Sequence, residues 1–599
     1  MTPQGIYGWL GQVSDEQAVL AAMTRGLAPE SQASGPGWAV AARHPLQSYA
    51  CHQDAHGIAA LYGRPRLPVG ADEAARWLLA GFRAKGAAIL RDIGGTFSAA
   101  ILEPTQRRAL LAIDRMGVER LCYGPTGDGM AFGADLQSVV RHPAVHAEID
   151  PRALFDYFYF RTVPAPRTIY RGVEKLLPGQ YLLWENGQMR RDFYWALDYG
   201  VNTERNFASY KAEFRALLDQ AVERATGADD AGAFLSGGTD SSTVVGIMSQ
   251  HGARPVDTFS IGFAADGFDE MHYARIAATR FRSRPHEYYL QPQDIVEALP
   301  VLAQNYDEPF ANESAVPTLF CARLAKTAGH GVLLAGDGGD EIFGGNARYA
   351  KQKIFQAYGC LPDWLRTHLL EPPTRLPGLS ERFPLRKLKS YVEQANIPLP
   401  DRMESYNFLH KSGAAQIFTA EFLAQIDEQA PLAALREVYQ RTRSENAVNR
   451  MMHLDLKFTL ADNDLRKVGA MTEAAGVAVR YPLLDDDLVA FSGRLPPPYK
   501  VRGLKLRWFF KKALEDVLPR EIIRKRKHGF GLPFGVWALQ HAPLHEMVAS
   551  SLARLAERGW IKTAYLAELQ RQHAEVHPTY YGSMVWALVM LEQWLAAHP

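Results

Sequence analysis

Four cysteines in 599 residues, Cys51, Cys122, Cys321 and Cys360, form no CxxC pair, so neither a disulfide framework nor a cysteine zinc site organises this chain. Charge of one sign is just as scarce. The 66 Lys and Arg face 65 Asp and Glu, a formal net charge of +1, which gives no general pull toward nucleic acid or an anionic membrane. No run is long and apolar enough to span a bilayer, and the N-terminus lacks a basic-then-apolar signal. A cytoplasmic protein in a reducing compartment is expected. With 47% hydrophobic and 22% charged residues, the chain suits a folded protein of roughly two to four domains.

What is abundant is glycine in two turns that each follow an apolar run. In the first, Ala231 to Leu235 reads as a strand, and Ser236-Gly237-Gly238-Thr239-Asp240-Ser241-Ser242 opens a helix. Gly237 and Gly238 allow the backbone to close on a ligand. The hydroxyls of Ser236, Thr239, Ser241 and Ser242 and the helix-opening amides offer donors to phosphate. Asp240 would repel phosphate unless a cation lay between, so it reads as a magnesium ligand. In the second turn, strand Gly331 to Ala335 runs into Gly336-Asp337-Gly338-Gly339-Asp340-Glu341-Ile342-Phe343-Gly344-Gly345. Three carboxylates among five glycines repel one another and carry a large entropy cost on folding. A cation bridging a polyphosphate would relieve that repulsion.

The surrounding pattern divides the chain. Residues 1–204 are strand-rich, with short runs at Trp38–Ala42, Ala99–Leu102, Ala109–Ile113 and Gln180–Trp184, and two packed sheets are expected. Residues 205–599 alternate helices and strands: a helix near Asn206–Thr226, the first turn, strand Thr258–Phe263, helix Asp269–Phe281 and the second turn. That alternation indicates an α/β unit with a doubly wound parallel sheet, whose ligands lie at the carboxyl ends of the strands.

The first turn resembles the SGGxDS loop of the ATP pyrophosphatase families. Together with the second turn and the segments below, the chain resembles the asparagine synthetase family over nearly its whole length. Gly94–Leu102, Ile113–Gly117 and Leu176–Gln180 are similar to that family's N-terminal glutaminase domain, an αββα fold of the N-terminal nucleophile class. The family's glutaminase cysteine is missing, since the chain begins Met1-Thr2-Pro3-Gln4. A Thr2 nucleophile is disfavoured by Pro3, so a scaffold domain without ammonia production is expected.

In the second unit the resemblance implies ATP and Mg2+ as cofactors. Asp240 and Asp340 would be the metal pair. ATP would be bound by Ser236 to Ser242, by the strand Ser260-Ile261-Gly262, and by Gly336 and Asp337. Glu341 would be the catalytic carboxylate that deprotonates or orients the attacking amine. Lys527, in the basic run Arg524 to His528, would stabilise charge on the adenylate and the tetrahedral intermediate. Asp307 to Pro317 looks like a substrate-side loop. Residues 346 to about 445 read as helices and loops where the acceptor is recognised.

Gly469-Ala470 and Ala478 stand where typical members carry Asp-Arg and Glu, so a pocket charged for free aspartate is not expected. With the cysteine gone as well, the chain resembles the lasso peptide cyclases and the β-lactam synthetases, and its length and the long aromatic and basic insert before residue 450 look more like the lasso peptide cyclases. The reaction that likeness implies adenylates an Asp or Glu side chain of a leader-cleaved precursor peptide, after which the peptide's N-terminal amine closes an isopeptide macrolactam. A leader peptidase and a precursor-recognition protein would be partners, with no nucleic acid. A β-lactam synthetase or an ammonia-dependent asparagine synthetase are the other readings.

Overall fold

The computed structural model describes residues 4–26, 28–200, 205–252, 254–265, 267–359, 361–372, 385–525 and 531–598. Met1 to Pro3, with the Thr2 considered above, and Lys527 lie outside them.

The N-terminal strands form two six-stranded antiparallel sheets. One is centred on Gly5–Leu10 and Trp38–Arg43, the other on Gly94–Glu103, flanked by Ile58–Arg66 and Arg108–Ile113. Alternation along the strands decides which faces meet. Ile6, Trp38 and Val40 of the first sheet pack on Ile58, Ala60, Ala100 and Leu111 of the second, while Leu61 and Ile101 turn outward onto Leu78 and Phe82 of the helix Ala74–Lys85. On the far side Tyr7 and Trp9 join the cluster containing Leu154 and Phe158 of the helix Pro151–Phe160. The layers are therefore helix, sheet, sheet, helix, as the sequence resemblance implies.

The second unit is built on a parallel sheet. Its strands, in chain order, are β1 (Gly232–Phe234), β2 (Asp257–Phe263), β3 (Arg284–Leu290), β4 (Val332–Leu334) and β5 (Ala478–Arg480). They lie side by side as β3-β2-β1-β4-β5, every pair parallel. α1 (Phe207–Thr226) starts at Asn206, whose side chain accepts from the Ser209 amide, and buries Tyr210, Phe214, Leu218 and Val222 along one stripe. α2 (Thr239–His251) and α3 (Met271–Phe281) follow β1 and β2. The one-turn helix α4 (Gly339–Phe343) and then α5 (Ala347–Gly359) follow β4. α6 (Leu465–Ala474) precedes β5, and the last helix, α7 (Pro578–Ala597), is buried along most of its length.

β1 and β4 are adjacent in the sheet but about 100 residues apart in the chain. Because they are parallel neighbours, both glycine turns leave the same edge at the same end. The topology alone brings the two turns together.

Candidate active site

Glycine is required in both turns. Gly237 has φ +68° and Gly338 φ +98°, conformations that cost an L side chain energy. A Cβ at Gly237 would lie 2.5 Å from backbone atoms of Tyr273 and Ala274, and one at Gly338 would lie 2.2 Å from Leu484 Cδ2. The flanking glycines let the acids approach. A Cβ at Gly339 would meet Asp240 Oδ1 at 2.5 Å, and one at Gly345 would meet Asp340 Oδ1 at 1.6 Å.

Asp240 and Asp340, each in the first turn of its helix, converge on one guanidinium. Arg507 donates to Asp240 through Nη1 at 2.5 Å and Nη2 at 2.6 Å, and Nη2 also pairs with Asp340. Nη1 reaches the Thr239 hydroxyl as well. Arg507 is 6% exposed, so its charge offsets two carboxylates in a setting where unpaired acids are costly. Sequence reading missed this residue, whose only local sign is a lone Arg in a basic stretch.

The two turns wall a cavity of about 750 Å3. Ser236, Gly238, Thr239, Asp240, Ser241, Gly336, Asp337, Asp340 and Glu341 all line it. Gly237, Ser242, Ser260, Ile261 and Gly262 do not. Gly237 is taken up by packing on α3, and the buried Ser242 hydroxyl has no hydrogen-bond partner among the described residues. Ser260 is buried and donates to the Leu235 carbonyl at 2.7 Å, holding β2 to the end of β1. Within the first loop the Ser236 and Ser241 hydroxyls lie 3.1 Å apart, and the Gly238 amide donates to Ser236 Oγ at 3.3 Å.

Across the cavity stand Lys467 and Asp464, whose Nζ and Oδ1 are 2.9 Å apart, with Asp337 Oδ1 3.8 Å from the same ammonium. Burial pushes the Asp337 carboxyl up to about 6, although Lys467 opposes the shift. Both neighbouring acids hold the Lys467 ammonium well above its ordinary range despite burial. Glu341, 6% exposed, sits on the same wall. Lys525 reaches the first loop from the far side, bonding Glu270 at 3.0 Å.

The residues fit a magnesium nucleotide. Among the described residues no group of three or more His, Cys, Asp or Glu could hold a metal. Two adjacent carboxylates beside hydroxyls and helix-opening amides match an ion that takes one or two protein carboxylates and completes its shell with phosphate oxygens and water. Arg507 already sits as a positive charge between those carboxylates.

Two sequence expectations are corrected. Asp307 and Glu308 brace the two units rather than line the cavity. Asp307 accepts from the Leu136 amide at 2.9 Å and pairs with Arg466, while Glu308 accepts from the Ile169 amide at 2.9 Å and pairs with Lys175. Only Ser314 and Thr318, further along, reach the cavity. Gly469, Ala470 and Ala478 line a separate cavity of about 100 Å3 between the two units, together with Gln4, Tyr62, Glu119, Arg120 and Glu473. They say nothing about the charge of the nucleotide cavity, because α6 turns Lys467 and Val468 toward that cavity and Gly469 and Ala470 away from it.

Comparison with known proteins places both units in known families. The asparagine synthase family model matches residues 213–596, and a glutamine amidotransferase domain model matches residues 72–195. A Mycobacterium bovis protein provisionally named asparagine synthetase [glutamine-hydrolyzing] is 28% identical over 488 residues, 77% of this chain and 70% of its own length. Asparagine synthetase [glutamine-hydrolyzing] 1 of Bacillus subtilis is 26% identical over 492 residues, 81% of this chain and 74% of its own. Asparagine synthetase B of Escherichia coli is 24% identical over 361 residues, 57% and 59% of the two chains.

Proposed function

From the premise that this chain belongs to the asparagine synthase family, and so is an ATP- and Mg2+-dependent amide-forming ligase, we propose that it closes a macrolactam in a peptide. The carboxylate activated is an Asp or Glu side chain of a leader-cleaved precursor, and the amine is the peptide's own N-terminus. A leader peptidase and a precursor-recognition protein would supply that substrate.

In this reading Asp240 and Asp340 hold the magnesium ion, and Ser236, Thr239, Ser241 and the amides opening α2 hold the triphosphate. The bound nucleotide supplies an electrophilic phosphorus to which the substrate carboxylate bonds as pyrophosphate leaves. Arg507, which bridges the two carboxylates, and Lys525, beside the first loop, would offer positive charge to the phosphate oxygens. Lys527 is assigned to charge stabilisation on sequence grounds alone. Glu341 takes a proton from the amine as nitrogen bonds to the acyl carbon and AMP departs.

The observation that carries the peptide reading is the reach of the cavity. Its wall continues past Glu341 to Ala347, Leu504 and Lys505, two of them on an exposed hairpin. A substrate longer than an amino acid can therefore place its carboxylate inside while its chain stays outside. The names of the relatives favour a second reading, asparagine formation from aspartate.

The test is ATP–pyrophosphate exchange followed by product mass. Linear peptides with a free N-terminal amine and one internal Asp or Glu should support exchange and lose one water. Exchange with aspartate plus ammonia, and none with any peptide, would establish the second reading instead.

A further inference from the structure

The outer wall of the nucleotide cavity is formed by two elements without a single acidic residue. α5 carries Arg348, Lys351 and Lys353, and the stretch Val501 to Arg507 carries Arg502, Lys505 and Arg507. That stretch is a two-stranded hairpin, Val501–Arg502 against Lys505–Leu506. Lys353 donates to the Val501 carbonyl at 2.5 Å, fixing α5 beside it. Arg348 is committed to Asp455 and Arg507 to Asp240 and Asp340. Lys351, Arg502 and Lys505 remain exposed.

Apolar side chains accompany these cations. Ala347 lines the cavity, and Lys351 and Ile354 follow it on the same helix face at i+4 and i+7, about 6 and 10 Å along the axis. Ile354 is 45% exposed, and Leu504 at the hairpin tip is 61% exposed. Lys351 lies 3.6 Å over the ring of Tyr406, itself half exposed. The result is a track of alternating apolar and positive groups that begins where the cavity opens. Cations alone would serve any polyanion, including ATP. Exposed Ile and Leu interleaved with them suit a polypeptide that offers apolar and acidic side chains together.

We infer that the face made by α5 and the hairpin Val501–Leu506 is the docking track for the substrate's own chain, an extended segment bearing acidic and apolar side chains. This rests on the peptide reading above. It adds which part of the enzyme selects the peptide, and by what chemistry.

The test is binding without turnover, so it does not depend on cyclisation. A fluorescein-labelled peptide alternating Glu with Leu and Phe, and a second alternating Lys with Ser, are titrated with the full-length protein and followed by anisotropy. The acidic-apolar peptide should bind at least about tenfold more tightly than the basic one. Ile354→Asp should weaken it about tenfold, Lys351→Glu should do likewise, and Lys351→Glu should bind the basic peptide better than wild type does. The KM for ATP in pyrophosphate exchange should stay within about twofold in both variants. Equal binding of the two peptides would overturn the inference whatever the enzyme cyclises. Loss of binding in Lys351→Glu with none in Ile354→Asp, alongside equal binding of a single-stranded oligonucleotide, would also overturn it, marking a general polyanion surface. Peptide binding that follows the predicted pattern in an enzyme that amidates only aspartate would remove the macrolactam reading and, with it, the assignment of this peptide-binding face to the substrate's chain.

Discussion

At the scale of the residue, the site is defined by two carboxylates and the cation between them. Asp240→Asn keeps the size of the side chain and one hydrogen bond to Arg507 but removes a negative charge from the metal position. ATP–pyrophosphate exchange should fall at least about 100-fold while the melting temperature changes little, and full exchange would contradict the metal assignment. Arg507→Gln makes the opposite error, removing the guanidinium that bridges Asp240 and Asp340. Without nucleotide it should destabilise the protein by about 3 kcal/mol, the low end for breaking a buried pair, because both acids keep some contact with solvent. Mg2+ with ATP should restore more stability to this variant than to wild type, since a ligand that binds only the folded protein adds stability by mass action. Thermal melts with and without Mg2+ and ATP measure both effects. That Asp240, Asp340 and Glu341 meet at one cavity could be read from sequence because each lies within a glycine turn that follows a strand of one parallel sheet. The place of Arg507 there could not. It meets Asp240 across 267 residues, and nothing beside it separates a bridging guanidinium from a solvated one.

At the scale of the element, the strands and turns were readable and the walls between them were not. β1, β2 and β4 are apolar runs ended by Gly, which local pattern identifies within a residue or two. The segment Leu456–Asp464 is a nine-residue π-helix, a geometry that sequence periodicity does not announce and that tends to occur at functional positions. Its wider turn lets one stretch serve several neighbours. Thr459 and Asp464 reach the nucleotide cavity, Asp462 accepts from the Ala165 amide of the N-terminal unit at 3.2 Å, and Asn463 accepts from Asn312 at 2.6 Å. Removing Ala461 takes one residue from the wider turn and lets the segment close toward an α-helix. α6, which carries Lys467, is held by the buried Leu465, Val468 and Met471, so the misfit should fall on Thr459 and Asp464. Exchange activity should drop about 100-fold with the circular dichroism spectrum preserved, as expected when groups lining the cavity are displaced by an ångström. Unchanged exchange would mean that the π geometry has no part in placing these groups.

At the scale of the whole molecule, the two units are locked together and the seam carries its own titration. Arg66 pairs with Asp487 at 2.7 Å, the Tyr157 hydroxyl donates to the Ala587 carbonyl at 2.6 Å, and the Leu136 amide donates to Asp307 at 2.9 Å. None of these contacts was legible, because each joins residues far apart in the chain whose types are ordinary on any surface. Inside the seam, the small cavity holds Glu119 and Glu473. Burial pushes Glu119 up to about 8, helped by Asp114, and Glu473 up to about 7, with Arg120 opposing. In the folded protein both therefore keep a proton that the unfolded chain, with carboxyls near their ordinary 4.5, has already released. The folded state binds more protons across that window, so stability falls as pH rises from about 4.5 to about 8 and levels off above. Glu473→Gln keeps a neutral polar group in the cavity and removes one of the two titrations. Its melting temperature should exceed that of wild type at pH 8.5, match it closely at pH 5, and decline less steeply between. Parallel pH curves for the two proteins would show that Glu473 is solvated or paired in solution and that the seam does not couple these units to pH.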